Sequence, residues 1–238
     1  MIVSVNQPAY LAWLGYYQRI AEADLHVVLD HVQFEKNSYT NRNRVRTAQG
    51  WTWLTVPVLT KGRFGDLTID RLEVDCRQDW GRKHWATLSQ AYRKAPFFAE
   101  HAPFLETLYA RPWPLLAGLV AELDAYLLAA FGIGSRIVAS SGLDCRLAKD
   151  ELVLEICRKV GATTYVSGAL GREYLRESLF AEAGIRVVYQ DYRHPVYRQC
   201  HAGAFEPYMA ALDLLLNHGP EASAILRDGQ TWSRGLRP

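Results

Sequence analysis

The chain has 238 residues, 49% hydrophobic and 12% aromatic, enough to bury one large core. With 27 basic side chains against 25 acidic ones the formal net charge is +2, which argues against a dedicated nucleic-acid binder, a class that needs a concentrated basic excess. Met1 to Val5 lacks the charged start and sustained apolar stretch of a secretory signal, and no run approaches the roughly eighteen apolar residues of a membrane helix, so a soluble cytoplasmic protein is expected.

The apolar run Ile2 to Val5 predicts a first strand that breaks at Asn6, Gln7 and Pro8. Leu11, Leu14, Tyr17, Ile20 and Ala21 then fall near one helical face, and Leu25 to Leu29 reads as a second strand ending at Asp30. A short connection through a helix favours parallel pairing. Trp53 to Val58 is expected as a third strand, and the alternation from Leu67 to Val74 predicts an exposed sheet segment. Trp80 to Arg93 predicts a helix that stops before Ala95 and Pro96, because the residue ahead of proline is driven out of helical geometry. Leu116, Leu119, Val120, Leu123, Leu127 and Phe131 repeat at three and four, as on a buried helix ending near Gly132.

Beyond it, strands are expected at Arg136 to Ala139, Thr164 to Ser167 and Ile185 to Tyr189, with an amphipathic helix over Lys149 to Val160. A last helix should open near Pro207 and end at Gly219 and Pro220. Short strands separated by helices predict a single α/β domain over 1–238, with three layers, a mostly parallel Rossmann-like sheet and a helical insertion at about 80–131. In such sheets ligands bind beyond the carboxyl ends of strands, which singles out Asn6 and Gln7, Asp30 to Gln33, and Ser167 and Gly168.

Asp30 to Arg46 mixes Gln33, Lys36, Asn41, Arg42, Asn43 and Arg44 with Phe34 and Tyr39, so it reads either as a loop that recognises an anionic ligand or as an ordinary solvated surface. Lys83 and His84 open the helix at Trp80, where imidazole offers a proton shuttle near neutral pH, although adjacent helical residues point about 100 degrees apart. Ser167, Gly168 and Gly171 let a ligand approach the backbone, yet they lack a Walker lysine and the dinucleotide fingerprint and equally suit a tight turn. Cys76, Cys145, Cys157 and Cys200 form no C-x-x-C pair and are expected as free thiols. Sequence adjacency of Cys200 and His201 does not make a nucleophilic pair, and His26, His31, His101 and His194 form no metal-ligand spacing.

The stretch NQPAYLAWLGYYQRIAEADLHVVLDHVQFEKNSYTNRNRVRT, together with WGRKHWATLSQAYRKAPFF, TYVSGALGREYL and FEPYMAALDLLLNHGP, resembles the WbqC-like family over nearly the whole chain. Asn6 stands where that family usually carries histidine, and Ala12 where it usually carries proline. The resemblance implies a role in surface-sugar or natural-product assembly, as a transferase moving an acyl or aminoacyl group onto an amine. In the reading this supports, Asn6, Gln7, Tyr16, Gln33, Lys36, Asn41, Arg42, Asn43, Ser167, Gly168 and Tyr174 bind substrate, while His84, Asp30 and Lys83 carry the proton chemistry. The expected substrate is a nucleotide-sugar or an amine acceptor. The expected donor is a CoA-linked or carrier-protein-linked acyl group; no metal, nucleic acid or membrane is called for. An adenylating or nucleotidyl-transfer enzyme and a noncatalytic sugar- or nucleotide-binding partner remain as alternatives.

Overall fold

A computed structural model describes residues 1–62, 65–228, 231–233 and 235–236. The chain runs through β1 (Ile2–Asn6), α1 (Leu14–Ala21), β2 (Leu25–Val28), β3 (Arg42–Thr47), β4 (Gly50–Thr55), α2 (Trp80–Tyr92), α3 (Phe98–Ala110) and α4 (Leu116–Ala130). It continues with β5 (Arg136–Ala139), α5 (Lys149–Val160), β6 (Thr164–Ser167), α6 (Glu177–Glu182), β7 (Arg186–Asp191), α7 (Ala211–His218), α8 (Ala222–Arg227) and β8 (Thr231–Trp232).

The main sheet has the order β5-β2-β1-β6-β7-β8. Its first five strands are parallel, and β8 is added antiparallel to β7. Side chains alternate between the two faces. One face buries Val3, Val5, Leu25, Val27, Tyr165 and Val187 against Leu152, Ile156 and Cys157 of α5 and Phe180 of α6. The other carries α1, which joins the β3–β4 hairpin and helices α2, α3, α4, α7 and α8 in a larger apolar cluster. The result is the three-layer, Rossmann-like α/β arrangement expected from the strand–helix alternation. From β1 the chain builds outward to β2, with β5 beyond it, then returns to place β6 on the other side of β1. Connections leaving β1 and β6 therefore diverge, and a crevice opens at their carboxyl ends. No helix among the described residues is long and apolar enough to cross a membrane.

Several elements differ from expectation. The segment taken as a loop, Arg42 to Thr47, is a strand paired antiparallel with β4, because Arg42, Arg44 and Arg46 alternate with inward Asn43 and Val45. The third strand ends at Thr55 instead of continuing to Val58. Leu67 to Val74 is no exposed sheet: Leu67, Ile69, Leu72 and Val74 are all buried, and the segment makes a 3-10 turn with single bridges to Gln33 and Val58. The last long helix opens at Ala211, not near Pro207, because Ala210 is held extended by a bridge to Trp13 and Tyr208 adopts φ of 60°.

Residues 192–210 connect β7 to α7 without regular structure, and Arg46 ties them to the hairpin. Its guanidinium, buried with only 3% exposure, donates to the carbonyls of Thr47 and Gly50 and, at 3.2 and 3.3 Å, to those of Ala202 and Ala204. Methionine would fill the volume but leave those carbonyls without donors, so Arg46→Met should cost about 3 kcal/mol in urea denaturation; a variant as stable as the parent would remove Arg46 from this role.

Candidate functional site

A cavity of about 790 Å³ occupies the crevice between the carboxyl ends of β1 and β6. Its walls come from the turn Asn6 to Ala9, from Trp13, Tyr16 and Arg19 on and before α1, from Ser167 to Gly171 after β6, and from Gln190 and Tyr192 on and after β7. Tyr39, Thr40, Asn43 and Arg44 of the hairpin region and Tyr208 of the connecting segment close the remaining side. The lining is rich in aromatic rings and holds two arginines, while no aspartate or glutamate appears among the described residues that line it. The side-chain amides of Asn6 and Gln7 make no hydrogen bond among the described residues and stand at the mouth of β1.

Arg19 sets the electrostatics of the floor. It lies on α1, against the sheet, with 6% exposure. Its Nη1 donates to Gln190 Oε1 at 3.3 Å, its Nε has no partner, and among the described residues no carboxylate pairs with it. Burial pulls its pKa downward, opposed by the phenols of Tyr165, Tyr16 and Tyr174, yet a guanidinium stays charged at physiological pH. Gln190 also donates through Nε2 to the carbonyl of Gly15 at 3.0 Å and to Gln18 Oε1, fixing α1 to β7. The turn after β6 is shaped around this charge: a Cβ on Gly168 would lie 2.5 Å from Arg19 Nη1, and one on Gly171 would lie 2.0 Å from Ser167 Oγ. A buried cation without a counter-ion is costly unless something anionic arrives.

Of the residues singled out from sequence, Asn6, Gln7, Tyr16, Asn43, Ser167, Gly168 and Tyr174 come together around this cavity, as does Arg44. Asn43 is at the same time structural, since its Nδ2 donates to the Leu11 carbonyl at 2.7 Å. The others lie elsewhere. His84 points into the core beneath the hairpin, where Nδ1 meets the Tyr10 hydroxyl at 2.9 Å; burial lowers its pKa to about 4, against a hydrogen bond to the backbone of Thr55. Lys83, one position before it, faces solvent. The Asp30 carboxylate receives the Ser140 hydroxyl and the Ser141 amide and hydroxyl at 3.0, 2.8 and 2.8 Å, so it caps the turn after β5. Asn41 donates to the Val56 carbonyl at 2.8 Å. Gln33 bonds to Leu67 and Phe34 and, with Lys36, lines a separate cavity of about 310 Å³. Arg42 lies over Trp53 on the outer face of the hairpin. The turn after β1 and part of the hairpin thus share one cleft, and the lysine–histidine helix lies apart from it.

Sequence reasoning passed over Arg19, Gln18 and Gln190. Their signal is faint but physical. Strands buried on both faces of a parallel sheet normally read as continuous apolar runs. Here Ser4, His26 and Gln190 interrupt them, and α1, buried from Leu14 to Ile20, carries Gln18 and Arg19 where a second apolar face belongs.

Beneath Tyr16 the polar layer continues. Tyr17 and, at 3.5 Å, Tyr16 donate to Asp124 of α4, and burial raises that carboxyl to about 7 against the lowering effect of the two phenols. His26 is held neutral, at about 3, by burial and then by the Arg19 charge, with Nδ1 against Ser4 Oγ at 2.8 Å. Because the folded carboxyl titrates near 7 and the unfolded one near ~3.9, the stability that neutral Asp124 contributes is complete below the lower value and lost as pH rises through the higher. Asp124→Asn should therefore gain on the parent by on the order of 2–3 kcal/mol between pH ~5 and pH ~8 in urea melts. A constant difference across that range would mean the carboxyl titrates normally.

The WbqC-like protein family model matches residues 7–225. The uncharacterized protein Rv1507c of Mycobacterium tuberculosis is 37% identical over 227 residues, covering 94% of this chain and 97% of that protein. No solved structure matches. A match that spans the strand–helix–strand opening, the hairpin, the helical middle and the returning strands settles kinship: the chain belongs to the WbqC-like protein family.

Proposed function

We propose that the chain is a transferase that moves an acyl or aminoacyl group onto an amine, with an anionic group of one substrate seated on Arg19. The observation that carries this reading is the buried Arg19 guanidinium, unpaired by any described carboxylate and facing a cavity at the point where the strand order reverses. Asn6, Gln7 and the backbone amides of the turn at Gly168 supply donors for a developing oxyanion and acceptors for an amine.

The described lining residues offer no carboxylate, imidazole, thiol or ammonium. That suits an acyl transfer whose donor is already activated, such as a CoA-linked or carrier-linked thioester. The amine nitrogen forms a bond to the carbonyl carbon, the carbon–sulfur bond breaks, and the proton shed by nitrogen neutralises the leaving thiolate. Positioning then does most of what catalysis requires. Surface-sugar or natural-product assembly in the cytoplasm is the setting in which we place such a reaction. The same lack of a base favours a second reading, a noncatalytic protein that binds a nucleotide-sugar or a similar anion for other enzymes.

Calorimetry with inorganic phosphate and acetate tests the anion site. Arg19→Met should weaken binding by about tenfold or more, the scale of a charge-assisted hydrogen bond, while raising the ligand-free melting temperature by about 2–4 °C because a desolvated charge is gone. Unchanged affinity would remove Arg19 from the site. Thiol release from acetyl-CoA in the presence of primary amines separates the two readings: release that Arg19→Met abolishes supports the transferase, and binding without release across acyl donors supports the noncatalytic protein.

A further inference from the structure

The outer face of the β3–β4 hairpin carries a feature that the cavity reading does not use. Strand pairing sets Arg42 opposite Thr55, Arg44 opposite Trp53 and Arg46 opposite Trp51. Since side chains alternate along a strand, these share one face while Val45 and Leu54 pack inward. Arg46 is consumed by its carbonyl contacts, which leaves Arg42, Arg44, Trp51 and Trp53. The Arg42 guanidinium carbon lies 4.6 Å from the Trp53 ring centre, and that of Arg44 lies 5.1 Å from Trp51 and 6.0 Å from Trp53. Tyr39 extends the row, its ring 5.8 Å from Trp53. Trp51, Trp53 and Tyr39 are nonetheless 42%, 36% and 51% exposed.

Neither arginine is paired with a carboxylate among the described residues; Arg42 donates to the Asn37 carbonyl at 2.6 Å and Arg44 to the Tyr208 carbonyl at 3.4 Å. Contiguous exposed aromatic surface marks an interaction site. A guanidinium over an indole can still offer outward N–H groups to phosphate oxygens, here from Nη because the Nε of Arg42 and of Arg44 is buried, and an exposed indole face accepts a flat heterocycle. Tyr39 and Arg44 also line the cavity, so the row runs without a break into its mouth.

We propose that this face binds the nucleotide half of the cavity's ligand, with the base against Trp53 and Trp51 and a diphosphate between Arg42 and Arg44. It rests on the reading that the cavity takes the reacting end of an anionic substrate. A neutral sugar stacks on tryptophan but leaves two guanidinium groups unanswered, and a bare polyanion gives no reason to expose two indoles. One nucleotide answers both. The scale fits as well, because two arginines and a net charge of +2 suit a single nucleoside diphosphate and not a nucleic-acid strand.

The test titrates the protein with ADP, GDP, UDP and dTDP, with the matching nucleosides and with inorganic pyrophosphate, followed by tryptophan fluorescence and calorimetry. At least one nucleoside diphosphate should quench tryptophan emission and bind about tenfold or more tighter than its nucleoside and than pyrophosphate. Trp53→Leu should weaken that binding by about tenfold, Trp53→Phe should restore most of it, and Arg42→Ala should weaken it comparably. Arg19→Met should leave nucleoside diphosphate affinity within about threefold, since Arg19 holds the other end. Loss of nucleotide binding in Arg19→Met with none in Trp53→Leu would place the nucleotide inside the cavity, overturning the hairpin assignment and sparing the proposed function. Absence of binding by all four diphosphates, or preference for a neutral oligosaccharide such as maltotriose, would overturn the hairpin assignment too. The phosphate titration of Arg19→Met decides the cavity reading separately.

Discussion

A charged guanidinium held between a helix and the middle of a parallel sheet is the constraint from which the rest of this site follows. Arg19 is nearly buried on α1, with 6% exposure into the cavity, and its one hydrogen bond, to Gln190, is between a cation and a neutral amide. Such an arrangement lowers the stability of the empty protein. Its surroundings accommodate it nonetheless. Gly168 leaves room for the guanidinium, Gln190 locks α1 to β7, and the phenols of Tyr16, Tyr165 and Tyr174 present oxygens around it. Local cost of this kind is retained where a ligand completes the arrangement.

The hairpin and the segment after β7 serve that cavity from above. Neither belongs to the main sheet, yet Arg46 joins them through four carbonyls, and Trp13 bridges to Ala210 from the start of α1. Trp13 also meets Tyr192 and Tyr208 edge-on and tilted, at 4.8 and 5.7 Å between ring centres. The aromatic rim is thus carried by segments pinned at several points. A residue with left-handed backbone, Tyr208 at φ of 60°, sits in that rim and marks where the chain bends to present its ring.

Much of the fold was readable because its strands and helices obey simple periods. β5, α5 and β6 match their expected bounds, since a parallel strand between helices leaves an apolar run bounded by polar turns. The hairpin escaped because its strand is polar on the exposed side: RNRVRT looks like a charged loop until Val45 and Asn43 are seen to alternate against Leu54. The reverse error came from Leu67 to Val74, whose apolar residues are spaced like a strand but pack under α4 from an irregular path. At the site, the rule that ligands bind beyond strand ends singles out Asn6, Gln7, Ser167 and Gly168, and all four line the cavity. His84, singled out instead as an imidazole at the start of a helix, lies away from that cavity, because the helical period does not tell that its ring turns toward Tyr10 and the core. Arg19 was invisible for the opposite reason: arginine on a short helix reads as solvent-facing, and only the second layer of packing makes it a floor.

The most direct measurement is nitrogen-15 NMR of the arginine side chains during titration with inorganic phosphate. If the cavity takes an anion on Arg19, its Nε and Nη resonances should shift and their hydrogen exchange should slow on saturation, while those of Arg46, already engaged by four carbonyls, stay in place. Saturable phosphate binding that leaves the Arg19 resonances unmoved would contradict the account.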